Sequence, residues 1–177
     1  MSESFEAMLT GGHPNSLGRT IEVVDIVLAD PPKLEELYRC YESDDEVVRL
    51  RVSNAMRRVQ RERPDLTLPY TDRLIDEIGA LDQPSAQWTL AKLFEAAIGD
   101  LSADQTRRAR AVVKRNLGNH NDWIVLKNSI DVLELWAKND PDLRAWMIPH
   151  LERHAGDPRK TVSGRAVKAL AKINEGG

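Results

Sequence analysis

Two histidines one helical turn apart come nearest to a metal-binding or catalytic pattern in this chain. His150 and His154 stand at positions i and i+4, so a helix would place both imidazoles on one face, as in zinc sites. Leu151 follows the first histidine where zinc peptidases have a glutamate, and the pattern supplies no third ligand. We therefore expect no metal and no cofactor, and we assign the pair to interactions near the end of a helix.

The single cysteine and the common catalytic motifs add no further chemistry. Cys40 stands between Tyr38 and Tyr41, where a small buried thiol is typical, and it has no second cysteine as a disulfide partner. The chain has no glycine-rich phosphate loop and no Gly-x-Ser-x-Gly elbow. The sequence therefore predicts no catalytic residue and favours a protein that is not an enzyme.

Composition and charge indicate a soluble domain. The 177 residues are 41% hydrophobic and 30% charged, with a formal net charge of -3. Residues 1–82 carry 10 basic and 17 acidic side chains, whereas residues 83–177 carry 15 and 11, so the charge is uneven along the chain. The lack of a long apolar run and the lone cysteine predict a cytoplasmic protein with no membrane contact. The net negative charge does not favour dedicated nucleic-acid binding.

The apolar residues form an internal repeat. Four similar segments begin at Val48, Ala86, Val125 and Val162, with spacings of 38, 39 and 37 residues. Offsets 0, 4, 7, 8 and 11 in each segment hold mostly small or medium apolar residues, which form one stripe on an α-helix. Each segment follows a polar turn and an earlier amphipathic helix. These partner helices are predicted at residues 33–42, 70–81, 103–117 and 142–154.

One more helix is predicted before the first repeat. Within residues 16–30, Leu17, Ile21, Val24 and Leu28 stand at offsets 0, 4, 7 and 11 of the same template. The stretch before it is too short for a full partner helix. We interpret the segment as a degenerate first unit that caps the array.

The segment from Asp45 to Met56 resembles the second-helix pattern of the HEAT-like repeat family: an aspartate, then Val-Arg, then small residues. The resemblance covers residues 31–177, although Leu126 replaces the usual arginine in the third unit. It implies an all-α fold, a right-handed α-solenoid of antiparallel helix pairs with about nine to ten helices. The single domain would comprise a cap at 1–30 and repeats at 31–64, 65–102, 103–140 and 141–177.

The resemblance also implies a binding surface, because the second helices of HEAT-like solenoids generally line the concave face. The outward positions of the predicted register are Arg51, Asn54, Trp88, Lys92, Asn128, Asp131, Arg165 and Lys168. An aromatic side chain among basic and hydrogen-bonding groups suits a peptide or an unstacked base. The alternative interpretation is a solvated helix face without a ligand.

Two classes of function remain open. The first is a non-enzymatic scaffold, monomeric or weakly dimeric, that binds a peptide or protein partner on its concave helical face. The second is a DNA-binding or base-excision enzyme, because DNA-alkylation-repeat glycosylases are also similar to HEAT-like stacks. Trp88, Asp131 and Arg165 would be its candidate residues, but no motif around them matches that family. We predict the scaffold and keep the enzyme as the alternative.

Overall fold

A computed structural model of the chain describes residues 3–176, and the predicted domain limits at residues 1 and 177 lie outside that range. Helices joined by turns make up the described residues, which contain no β-strand. The all-α prediction is confirmed. The chain divides into two compact units, Met1–Leu93 and Phe94–Gly177, and the boundary falls within one helix.

Unit 1 contains several short helices, one long helix and the first part of another. Its α-helices are α1 (Phe5–Leu9), α2 (Thr20–Ala29), α3 (Leu34–Arg39), α4 (Glu46–Glu62), α5 (Pro64–Thr67), α6 (Thr71–Arg73) and the first residues of α7 (Pro84–Ala96). Single 3-10 turns occur at Pro31–Lys33, Cys40–Glu42 and Leu68–Tyr70, and a π-helical turn at Leu74–Ile78. The predicted helix at 70–81 is thus shorter and less regular than expected.

Unit 2 contains two regular helix pairs after the end of α7. They are α8 (Ala103–Asn119) with α9 (Trp123–Ala137), and α10 (Pro141–Ala155) with α11 (Lys160–Glu175). The helix starts follow from capping side chains that accept hydrogen bonds from exposed amides. Asp122 accepts from the amides of Ile124 and Val125, and Ser102 forms a capping box with Gln105.

The predicted apolar stripes form the core of both units. On α4 the side chains of Val48, Val52, Ala55, Met56 and Val59 are all 0% exposed. The stripes of α7, α9 and α11 are buried as well, except that Leu170 is half-buried. Burial of these stripes supplies the main driving force for packing each helix on its neighbours. None of the helices in the described range is long and apolar enough to cross a membrane.

The capping helix α2 differs from its predicted stripe. Leu17 lies before the helix and is 39% exposed, and Ile21 is 43% exposed. The buried side of α2 is formed instead by Thr20, Val23, Val24 and Val27. The prediction is wrong at Leu17, which precedes the helix, and at Ile21, because the buried face of α2 is displaced by one residue from the predicted stripe.

Three tyrosines and one arginine join the first helices of unit 1. The Tyr38 ring lies 5.6 Å from that of Tyr41 and 5.2 Å from that of Tyr70, between ring centroids. The guanidinium carbon of Arg73 lies 4.1 Å from the Tyr38 centroid, a cation–π distance. Arg73 also donates to Glu35 at 2.8 Å. These contacts attach the irregular segment 64–78 to α3.

The guanidinium of Arg51 fixes the N-terminal segment onto α4. Arg51 is 1% exposed. Its nitrogens donate to the backbone carbonyl oxygens of Leu9 and Gly11 at 2.6 Å each, Ser16 at 3.1 Å and His13 at 3.2 Å. A buried charge is tolerated only when its hydrogen bonds are satisfied, and here the loop between α1 and α2 provides them.

Gly18 allows the loop to close over this guanidinium. Its φ is +52°, a conformation that favours glycine. A Cβ atom at this position would lie 2.9 Å from the Cζ and Nη1 atoms of Arg51, which is closer than real Cβ contacts. The loop conformation and the buried arginine therefore depend on each other.

Replacing Arg51 is expected to destabilise unit 1 strongly. Arg51→Ala leaves four carbonyl groups without their donor, so we expect the free energy of unfolding to fall by about 3 kcal/mol. Chemical denaturation followed by circular dichroism measures the change. Arg57→Ala, at an exposed position of the same helix, is the matched control and should change stability by less than about 0.5 kcal/mol. Equal stability of the two variants would show that the loop does not depend on Arg51.

Candidate partner-binding surfaces

The predicted surface residues of unit 1 lie on α4 and α7, but one of them does not reach solvent. Arg51 was expected to point outward, and this expectation is wrong because the α1–α2 loop covers its side chain. Asn54 is half-buried, and its Oδ1 accepts from Nε of Arg58 at 2.7 Å. Trp88 and Lys92 are half-buried on α7. Unit 1 thus keeps three of its four predicted positions at least partly exposed.

Side-chain bonds align α4 with α7 in unit 1. Gln60 donates to the carbonyl of Leu93 at 2.9 Å, and Gln83 donates to the carbonyl of Glu46 at 3.1 Å. Arg49 in turn donates to the Gln83 amide oxygen. Because early residues of α4 contact the start of α7, and late residues contact its later part, the two helices run parallel. This arrangement places Asn54 and Trp88 on adjacent second helices.

The predicted surface residues of unit 2 lie on α9 and α11. Asn128 was expected on the surface but is 6% exposed, so that expectation is wrong: its position on α9 lies within the buried part of the helix. Asp131 and Arg165 meet between the two helices, with 2.7 Å between Oδ1 and Nε. Lys168 is exposed on α11. The structure therefore brings together Asp131 and Arg165, as their shared face predicts.

Three further residues, none of them among the predicted site residues, extend this pair into a network. Glu134 accepts from Nη2 of Arg165 at 2.8 Å and from Lys172. Asp131 accepts from Lys127 at 2.9 Å through its second carboxylate oxygen. The signal for Glu134 was present in the sequence, because it lies three residues after Asp131 on the same helix face. We call Lys127, Asp131, Glu134, Arg165 and Lys172 the α9–α11 network.

Three members of this network are more buried than the partners of an ordinary surface ion pair. The Asp131 and Glu134 side chains are each 14% exposed, and that of Arg165 is 17% exposed. Burial by itself would raise the pKa of Glu134, but hydrogen bonds from Lys172 and Arg165 outweigh it, so the pKa lies below its ordinary value. Glu134 is therefore ionised at neutral pH, and both carboxylates are paired with cations.

An exposed tryptophan extends the same face of α9. Trp123 is 45% exposed and is the first residue of the helix, directly after the capping residue Asp122. It precedes Lys127 and Asp131 by four and eight residues, so a helix places the three side chains on one side. This aromatic side chain was not among the predicted site residues, although the spacing of four could have indicated it.

The residues considered for catalysis or metal binding are held in structural contacts. The Cys40 thiol donates to the Glu36 carbonyl at 3.3 Å, and burial, with the nearby charges of Glu6 and Glu36, raises its pKa to about 12. His154 Nε2 lies 2.9 Å from the Leu117 carbonyl oxygen, and its side chain is buried. No group of three or more potential metal ligands is found within residues 3–176.

The other histidine packs against an aromatic ring. The His150 ring lies 4.3 Å from that of Trp146, between centroids. Burial lowers the pKa of His150, and the charges of Arg153, His154 and Lys114 lower it further. The imidazole is therefore neutral at pH 7 and forms part of an aromatic surface on α10.

Comparison of the chain with protein-family models, with curated proteins and with solved structures finds no match. The class defined by the fold is an all-α protein of paired helices whose neighbours are joined by side-chain bonds. Support for a binding surface therefore comes from the residues and contacts of this chain alone.

The lowered pKa of Glu134 predicts a pH-dependent effect of its replacement. Because the folded-state pKa is below the unfolded one, the carboxylate stabilises the folded state above the unfolded pKa, and this contribution is lost as the pH falls through the folded pKa. Glu134→Gln should therefore reduce the free energy of unfolding by about 1 kcal/mol at pH 7 and by clearly less near pH 2.5. Thermal or urea unfolding at both pH values measures the difference.

Glu152→Gln on α10 is the matched control, because that side chain is exposed. It should change stability little at pH 7. A Glu134→Gln variant with the same loss of stability at both pH values would contradict the role of the Glu134 charge in the α9–α11 network.

Proposed function

We propose that the chain is a non-enzymatic interaction scaffold of the HEAT-like repeat family that binds a peptide or protein partner on α9 and α11. The observation that carries the proposal is the α9–α11 network, whose three least exposed charges are at most 17% exposed. We also propose that the protein is cytoplasmic, in keeping with its single reduced cysteine, and monomeric or weakly dimeric.

An ordered charged face favours binding because little side-chain entropy is lost when the partner docks. The network fixes Arg165 and Lys127 through their bonds to Asp131. Exposed Trp123 on the same side of α9 supplies the type of large aromatic side chain that dominates binding energy at protein interfaces. These groups together present one apolar contact beside a row of oriented polar groups.

The charges of the face indicate the chemistry of the partner. Lys127, Arg165, Lys168 and Lys172 supply four positive charges, against two negative charges from Asp131 and Glu134. A fitting partner has an apolar side chain for Trp123 and a nearby carboxylate for the excess positive charge. Exposed Lys168 is the cation best placed to meet that carboxylate, because the others already pair within the network.

The base-excision alternative has less support. It requires a carboxylate that acts on a nucleotide, and Asp131 is its candidate. Both oxygens of Asp131 already accept hydrogen bonds, from Arg165 at 2.7 Å and from Lys127 at 2.9 Å. Charge pairing of this kind suits a positioning role better than proton transfer.

Selection from a random peptide library displayed on phage tests the scaffold. Peptides selected on the wild-type protein should lose about tenfold or more in affinity for Trp123→Ala, because a central aromatic contact is removed. Lys168→Glu should weaken them several-fold, with an effect that shrinks at high salt. Fluorescence anisotropy of the labelled peptides measures both changes.

The matched control is Arg115→Glu, which makes the same change of charge at an exposed position on α8. It should leave peptide affinity unchanged. Unchanged peptide binding by Trp123→Ala and Lys168→Glu would reject this face. Release of a base from methylated duplex DNA by the wild-type protein would establish the enzyme alternative instead.

A further inference from the structure

A second surface lies on the opposite set of helices in unit 2. A cavity of about 570 Å³ opens between α8 and the beginning of α10. Its α8 side includes Arg107, Arg110 and Lys114, and its α10 side includes Asp142 and Leu143. None of these residues belongs to the α9–α11 network. We call this cavity the α8–α10 groove.

The α8 side of the groove is a row of cations. Arg107, Arg110 and Lys114 stand at positions i, i+3 and i+7, which lie on one side of a helix. Over its whole length α8 has five basic residues and one acidic residue, Asp104. The helix therefore produces a positive local potential that the net charge of the chain does not reveal.

The three cations differ in the contacts that they already make. Arg110 is a structural residue, because it pairs with Asp140 at 2.7 Å and donates to the Trp136 carbonyl at 3.3 Å. Arg107 pairs with Asp104, but its side chain is 72% exposed. An exposed pair of this type contributes little to stability and exchanges readily for another carboxylate. Arg107 is thus available to an incoming acidic group.

Lys114 is held over an aromatic ring at the far end of the row. Its Nζ lies 4.4 Å from the centroid of Trp146, which in turn packs on His150. The cation–π contact fixes the position of the ammonium group without neutralising its charge. The lowered pKa of His150 keeps that ring neutral at pH 7, so at this end the charge of the α8 row is that of Lys114.

Two small side chains beside the cations allow a partner to approach α8 closely. Ala103 and Ala111 are exposed members of the cavity lining, and they stand four residues before and after Arg107. Alanine leaves room for the backbone of a second helix beside α8, as small residues do wherever helices pack closely. The α8 side of the cavity therefore has no large side chain at these two positions to block an elongated partner.

The α10 side determines which anionic partner fits. Asp142 is exposed there, and Asp140 already pairs with Arg110. A polyanion such as a nucleic acid carries charge on all sides and would meet the Asp142 carboxylate at close range. A peptide helix with acidic residues on one side only can place them against α8 and present neutral or basic residues to α10.

We propose that the α8–α10 groove is a docking site for an acidic amphipathic helix of a partner protein, whose carboxylates pair with Arg107 and Lys114. The spacing of seven residues between these two cations matches two turns of the partner helix, so carboxylates at i and i+7 reach both. This site is separate from the α9–α11 network, and it would bind whether or not that network has a ligand.

A designed peptide tests the proposal without knowledge of the natural partner. The probe is a 15-residue alanine-based helix with glutamates at i, i+4, i+7 and i+11, and its counterparts are the same peptide with lysines and a 15-nucleotide single-stranded DNA. Each is titrated into isotope-labelled protein while backbone amide shifts are followed by NMR. We expect the glutamate peptide alone to shift resonances of α8, of α10 and of the Trp146 indole.

Charge reversal supplies the quantitative part of the test. Arg107→Glu combined with Lys114→Glu should weaken the glutamate peptide by about tenfold or more, because two contacts become repulsive. Arg115→Glu, which changes the charge of the same helix outside the cavity lining, should leave the affinity unchanged. Dispersed amide resonances establish that each variant is folded. If the charge-reversed double variant does not fold, Arg107→Gln combined with Lys114→Gln is used in its place.

Several outcomes would overturn the proposal. An absence of shifts at millimolar peptide, or equal weakening by Arg115→Glu, would show that α8 attracts anions without a defined site. Tighter binding of the oligonucleotide on the same helices would assign the surface to nucleic acid. Concentration-dependent self-association that disappears in the reversed variant would identify a second copy of this chain as the occupant. None of these results bears on peptide binding at Trp123, so the proposed function is tested independently.

Discussion

Neighbouring helices in both units are held in register by hydrogen bonds from polar side chains. The two groups in each of these bonds lie about one repeat length apart in the sequence. The hydrogen bond of Tyr38 to Glu77 spans 39 residues, that of Arg159 to Asn121 spans 38, and that of Lys172 to Glu134 spans 38. Burial of the apolar stripes is a non-directional force, whereas these hydrogen bonds are directional and favour one alignment of the helices. The alignment of α9 with α11 sets which of their side chains meet, as Asp131 and Arg165 do.

The same type of bond has opposite consequences at two corresponding positions. Arg51 and Arg165 occupy the same place in the repeat register, three residues after the start of their stripes. The end of α1 and the α1–α2 loop together supply four carbonyl oxygens to Arg51, which is thereby removed from the surface. Arg165 instead bridges Asp131 and Glu134 and remains 17% exposed. Arg51 thus stabilises the fold of unit 1, whereas Arg165 contributes to a candidate binding surface in unit 2.

Helical periodicity predicted most of the fold and correctly placed six of the eight expected surface residues at positions that are at least partly exposed. It identified the buried stripes, such as Val48 to Val59, because the 3.6-residue period depends only on the helix itself. It placed Arg51 on the surface because periodicity cannot reveal a loop that folds back over a helix. The sequence feature that indicated this loop was its three glycines, Gly11, Gly12 and Gly18, all of which have a positive φ in the structure. Glu134 lies three residues after Asp131 on the same helix face, but periodicity does not reveal its pairing with Arg165 and Lys172, which lie 31 and 38 residues away.

A double-mutant cycle on Asp131 and Arg165 tests most directly whether an inter-helix polar bond sets the arrangement of α9 and α11. The free energy of unfolding is measured for the wild type, for Asp131→Ala, for Arg165→Ala and for the double variant. A largely buried, well-aligned pair within a network predicts a coupling energy of about 1–2 kcal/mol. A coupling energy indistinguishable from zero would contradict that role and leave the apolar stripes alone to align the two helices.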